Sequence, residues 1–150
     1  MSLEPKYADE PPYRAAQAPG DLPNWLRLGV FNRGPLTATD VKGFLLSIEP
    51  NPLPDYLLPS RLGWKGGGAK QNIPKGHERQ LDILAFRVVN DELVAQFWIS
   101  EGPAICRLYD GRSYLLRVQL TAINAKDSTT HEYLLERRGA ELCFSPATIK

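Results

Sequence analysis

The residues of this chain with chemistry to offer are few: two histidines, two cysteines, one isolated aspartate in an apolar run, and a basic stretch rich in glycine. Nucleophilic catalysis needs a nucleophile, a base and a group that orients the base. His77 sits beside Glu78 in a turn-like segment, His131 sits on an alternating run, and no Gly-x-Ser-x-Gly elbow occurs. Asp82 stands alone among apolar residues and reads as an outward-facing polar side chain. Carboxylate pairs for glycoside cleavage cannot be assigned from their separation in sequence. No catalytic residue is therefore assigned, and the chain is read as not an enzyme. Cys106, in Ala-Ile-Cys-Arg-Leu, and Cys143, in Glu-Leu-Cys-Phe, both read as buried free thiols. A disulfide would require the last strand to pair near residue 106. No Cys-x-x-Cys exists and the histidines are far apart, so neither a metal nor a cofactor is expected.

The glycine-rich stretch Gly63-Trp64-Lys65-Gly66-Gly67-Gly68-Ala69-Lys70-Gln71 invites comparison with a phosphate-binding loop. The comparison fails, because such a loop places Gly before its Lys and Ser or Thr after it, whereas Lys70 lies between Ala69 and Gln71. What remains is charge. Between 61 and 79 the chain carries Arg61, Lys65, Lys70, Lys75 and Arg79 against the single acid Glu78, within a total of only +1. A basic loop bearing an aromatic ring could grip a phosphate backbone, an anionic lipid surface or an acidic partner. The candidate binding residues are Arg61, Trp64, Lys65, Lys70 and Lys75. The simpler reading, and the preferred one, is a solvated loop whose Trp64 packs onto the body of the domain.

The elements that would carry these residues are short strands. Pro5, Pro11, Pro12, Pro19 and Pro23 exclude a long helix, so residues 1–23 read as an extended arm with one edge strand around Tyr13, pinned by Tyr7 and Tyr13. Leu26, Leu28 and Val30 alternate from 25 to 31, which is the period of a half-buried strand. In the strand 41–48, Val41 has one parity and Phe44, Leu46 and Ile48 the other, so a bulge is expected at Gly43. Residues 50–77 read as one long irregular stretch, and 81–88 as a buried strand. Asn90-Asp91 turns it into a hairpin with Leu93, Ala95, Phe97 and Ile99. A short strand follows at 104–109. The clearest alternation is Tyr114, Leu116, Val118, Leu120 and Ala122, with return strands at 131–136 and 142–144. About seven strands with turns between them, and no helical period, predict one all-β antiparallel sandwich over 24–150.

At 150 residues, 43% hydrophobic and 23% charged, the composition is that of a globular domain able to fold without metal or disulfide. The near-zero net charge argues against a globally basic nucleic-acid binder. No apolar run reaches the roughly 18 residues of a membrane span, and Met1-Ser2-Leu3-Glu4-Pro5 lacks the features of a signal peptide. The expectation is a cytoplasmic chain or the soluble domain of a membrane-associated protein.

Three turn-plus-strand units resemble bacterial immunoglobulin-like modules of the fibronectin type III and CARDB sort. They are Leu28 to Gly34 leading to Ala38-Thr39-Asp40-Val41, then Ile73-Pro74-Lys75-Gly76 leading to Leu81, then Gly111-Arg112-Ser113-Tyr114 running to Asn124. The stretch 50–72 and the hairpin 87–100 depart from that pattern. The resemblance implies an immunoglobulin-like sandwich in which Tyr114 acts as a tyrosine corner, its hydroxyl bonded to nearby backbone; the residue pattern alone reads equally as a plain core aromatic. It also implies a non-catalytic interaction or spacer module, the soluble domain of a bacterial membrane or envelope protein, with another protein as partner. The second expectation is a binding domain for nucleic acid or anionic lipid through 61–79. The third is a β-sandwich carbohydrate binder or enzyme.

Overall fold

The computed structural model describes residues 3–8, 10, 12–16, 24–100, 102–125 and 128–147. Among them lie twelve strands and a single 3-10 turn at Asp55–Leu57. The strands are β1 (Leu3–Lys6), β2 (Arg14–Ala16), β3 (Asn24–Asn32), β4 (Ala38–Glu49), β5 (Ser60–Arg61), β6 (Gln71–Ile73), β7 (Glu78–Val89), β8 (Glu92–Ile99), β9 (Gly102–Leu108), β10 (Ser113–Thr121), β11 (Thr129–Arg138) and β12 (Glu141–Pro146). They form two antiparallel sheets packed as a sandwich. One runs β1-β3-β7-β8-β9, with β2 also on β3, and the other runs β12-β11-β10-β4-β5, with β6 also on β4. No described helix is long and apolar enough to cross a membrane.

Each sheet is a three-strand meander, β7-β8-β9 or β10-β11-β12, laid beside one earlier strand. The immunoglobulin order A-B-E-D puts at the edge the strand that arrives from the other sheet. Here β7 arrives and pairs directly with β3, so the sandwich class holds with meander connections.

The period-2 pattern places the core. Leu26, Leu28 and Val30 of β3, Leu93, Ala95, Phe97 and Ile99 of β8, and Tyr114, Leu116, Val118 and Leu120 of β10 all face inward and are buried. The Tyr114 hydroxyl accepts a hydrogen bond from the Tyr109 backbone N–H at 3.1 Å, so the apolar ring is buried with its polar tip satisfied. The Asn90-Asp91 turn has φ of +50° and +65°, as a tight hairpin between right-twisted strands requires.

Several expectations change. Among the described residues the strand count is twelve rather than about seven, because the arm and the stretch 50–77 both contribute short strands that periodicity cannot detect in two to four residues. In the arm, β1 and β2 pair with β3, and Tyr7 packs edge-on against Phe144 of the opposite sheet with ring centroids 4.9 Å apart. Residues 17–23 and Pro11 lie outside the described residues. The bulge in β4 is not at Gly43. Arg117 pairs with Ser47 and Val118 with Leu45, which leaves Leu46 unpaired and lets Ile48 turn inward again. Gly43 faces inward, where a Cβ would come within 2.5 Å of Leu81 Cδ2; close approach of the two sheets is what the glycine permits there.

Candidate functional site

Residues 60–65 form a strap that joins the two sheets. Ser60 and Arg61 pair with Leu45 and Phe44 of β4, and the Leu62 N–H donates to the Gly43 carbonyl at 2.8 Å. On its other side Leu62 bridges Ile99 of β8, and Trp64 bridges Leu81 of β7. The Asp82 N–H donates to Gly63 and the Lys65 N–H to Gln80, each at 2.9 Å. Leu62 and Trp64 face the core, at 1% and 2% exposure. Strand alternation then turns Arg61 and Gly63 outward, opposite Ser100 and Trp98.

This corrects the assignment of Trp64. Its ring is a core residue and offers no face to a ligand, as the preferred sequence reading had it, and its indole nitrogen has no hydrogen-bond partner. The exposed ring beside the basic stretch is Trp98. It stacks on Trp25 of β3, with centroids 6.2 Å apart and planes 21° from parallel. The Arg27 guanidinium lies over Trp25 at 4.8 Å and bonds Asp82 at 2.7 Å. Asp82 therefore has a partner on the neighbouring strand β3. Burial raises its pKa, while Arg27 and then Lys65 pull it down. The stack and this nearly buried ion pair hold the Trp98 indole in place.

A cleft of about 190 Å³ opens between Trp98 and the glycine-rich turn, lined by Arg61, Leu62, Gly63, Gly68, Ala69, Trp98, Ile99 and Ser100. Gly66, Gly67 and Gly68 have φ between +92° and +95°, a region that only glycine enters without strain, so this run can form the turn over the cleft. The hydroxyl of Ser100, which lines the cleft, lies 2.7 Å from that of the buried Ser60. Arg61 is half-buried, and its side chain has neither a hydrogen bond nor an ion pair to any described residue. Of the five residues proposed from sequence, only Arg61 lines the cleft. Lys65 and Lys75 are exposed, and Lys70 pairs with Asp40 at 3.4 Å. Sequence reasoning missed Trp98 although a signal was present. A large aromatic at an outward position, out of phase with Leu93, Ala95, Phe97 and Ile99, has no core to fill.

Other concavities carry less. One of about 730 Å³ lies beside the start of β11. Its charged walls, Arg117 and Glu132, are paired to each other at 2.6 Å, and His131 bonds Thr129 at 3.0 Å. Burial lowers the pKa of His131, favouring the neutral ring. A groove of about 550 Å³ along β9 is bordered by Arg107, which pairs with Glu92 at 2.9 Å. Among the described residues, no group of three or more His, Cys, Asp or Glu is placed to hold a metal. No protein-family model, curated protein or solved structure matches the chain.

Proposed function

We propose that this protein is a non-catalytic interaction module that captures an anionic ligand in the cleft between Arg61 and Trp98. The observation that supports the reading is Arg61, which lines the cleft and whose side chain has no hydrogen bond or ion pair to a described residue. Its five N–H donors have no protein acceptor to give up when an anion arrives, so each can turn to the ligand. Guanidinium meets carboxylate or phosphate through paired, charge-assisted hydrogen bonds, which suits an anion entering beside Ser100. Trp98 adds a fixed flat wall to the same cleft.

The test is a tryptophan-fluorescence titration with inorganic tripolyphosphate at two salt concentrations. Saturable quenching that weakens with salt is expected, since the rim is exposed and its charges are screened. Arg61→Gln should weaken binding at least tenfold and Arg61→Lys by less, because an ammonium keeps the charge but not the planar fork. Binding by Arg61→Gln equal to that of the unmodified protein would overturn the proposal.

A further inference from the structure

We infer that the anion taken by this cleft is a single-stranded nucleic acid, with one base stacked on Trp98 and its phosphate held by Arg61; the inference rests on the anion-capture reading. Trp98 is 39% exposed while backed by Trp25, so its indole can take a further flat ring without reorienting. Opposite it on the strap stands Gly63, where even a Cβ would meet nothing within 4 Å. That leaves a slot open beside the ring, and about 190 Å³ is room for one ring rather than for an extended ligand. A base in a duplex is already stacked and paired, so a slot of this kind selects unpaired bases.

Charge separates the candidate anions. Lys65 follows Gly63 and Trp64 on the same strap and is exposed, so consecutive phosphates leaving the cleft would pass a second cation. Residues 61–79 hold five basic side chains against one acid, a balance suited to a polyanion. An acidic glycan shares the charge but presents no aromatic face to continue the Trp25–Trp98 stack. An anionic lipid surface shares the charge but offers no planar ring to enter a cleft of about 190 Å³ beside Trp98. Unpaired nucleotides supply both the planar face and the charge.

The experiment is fluorescence polarisation with a labelled oligo-dT of about twelve nucleotides, within the span one β-domain covers, against an abasic oligomer of the same phosphate count. Oligo-dT should bind at least tenfold tighter than the abasic strand. Trp98→Ala should weaken oligo-dT far more than the abasic strand and so erase that difference, and Trp98→Phe should retain most of it. Arg61→Gln should weaken both ligands. Trp98→Phe also guards against a folding defect, since it keeps an aromatic ring against Trp25. Equal binding of the two oligomers, unaffected by Trp98→Ala, would overturn base stacking and leave anion capture standing. A heparin oligosaccharide or anionic vesicle that displaces oligo-dT more effectively than unlabelled oligo-dT would overturn the nucleic-acid assignment in favour of that ligand. Failure of tripolyphosphate and of both oligomers to bind would overturn both readings.

Discussion

Cys106 and Cys143 sit in similar apolar contexts, yet strand parity separates them. On β9 the inward set is Ala104, Cys106 and Leu108, and burial pushes the Cys106 thiol up to about 12. On β12 the inward set is Leu142 and Phe144, which leaves Cys143 on the outer face opposite Glu136 and exposed. The expectation of two buried thiols therefore fails for Cys143: a residue flanked by apolar neighbours in a strand is the one that points away from them. A disulfide is closed off as well, since Cys106 points into the sandwich from one sheet and Cys143 points away from it on the other, and both are free. Thiol reagents attack the thiolate, and Cys106 holds its proton out of reach of solvent. Native protein should consume one equivalent of a thiol reagent quickly and a second only after denaturant is added. Two fast equivalents would contradict the buried position of Cys106.

Strand β4 shows how packing between the sheets chooses a residue. Gly43 pairs with Leu120 within its own sheet and faces Leu81 of the other. Leu81 is fully buried, so its methyls cannot simply swing aside. Gly43→Ala should cost about 1–3 kcal/mol, the usual penalty for overfilling a packed core. Leu81→Ala alone should cost about 2–5 kcal/mol by leaving a cavity. The two positions touch, so the double variant should lose clearly less than the two separate losses combined. Urea denaturation of the four proteins measures this, and simple additivity would mean that the contact is not what requires glycine.

The two sheets are also tied together at one end, by Arg137. Its guanidinium donates to the carbonyls of Gly139 at 2.8 Å, Leu108 at 2.9 Å and Asp91 at 2.9 Å. These belong to the turn after β11, the end of β9 and the β7–β8 hairpin, so one side chain of one sheet holds two elements of the other. At the opposite edge the arm does similar work, with Arg14 donating to the Leu142 carbonyl and to the Tyr7 hydroxyl. Arg137→Ala should destabilise the domain by about 2–4 kcal/mol, since each buried carbonyl left without a partner costs about 1–3 kcal/mol and part of the loss is recovered from strand bonds and water. Arg137→Lys should restore less than half, because a single ammonium cannot span three carbonyls in a plane. Chemical denaturation measures both, and a loss under about 0.5 kcal/mol for Arg137→Ala, the level of an ordinary surface change, would remove its role as a tie.

Alternation along the chain was enough to set the class of this fold. It marks Leu26 to Val30, Leu93 to Ile99 and Tyr114 to Leu120 as one-faced strands, because side chains in a strand point to opposite sides whatever the strand pairs with. The Asn90-Asp91 turn was legible for the same reason, since positive φ at two successive residues is a local preference. Which strands become neighbours is not local. The placing of β7 beside β3, the bulge at Leu46 and the closure of the sandwich by residues 60–65 depend on contacts between residues tens of positions apart. The site falls on that side of the division. The sequence located Arg61 and the basic stretch by composition. The preferred reading also packed Trp64 onto the body of the domain. Only the tertiary structure brought Trp98 to the strap from a strand more than thirty residues later and left the Arg61 side chain without a described partner, because each of these is decided by what the folded chain brings alongside.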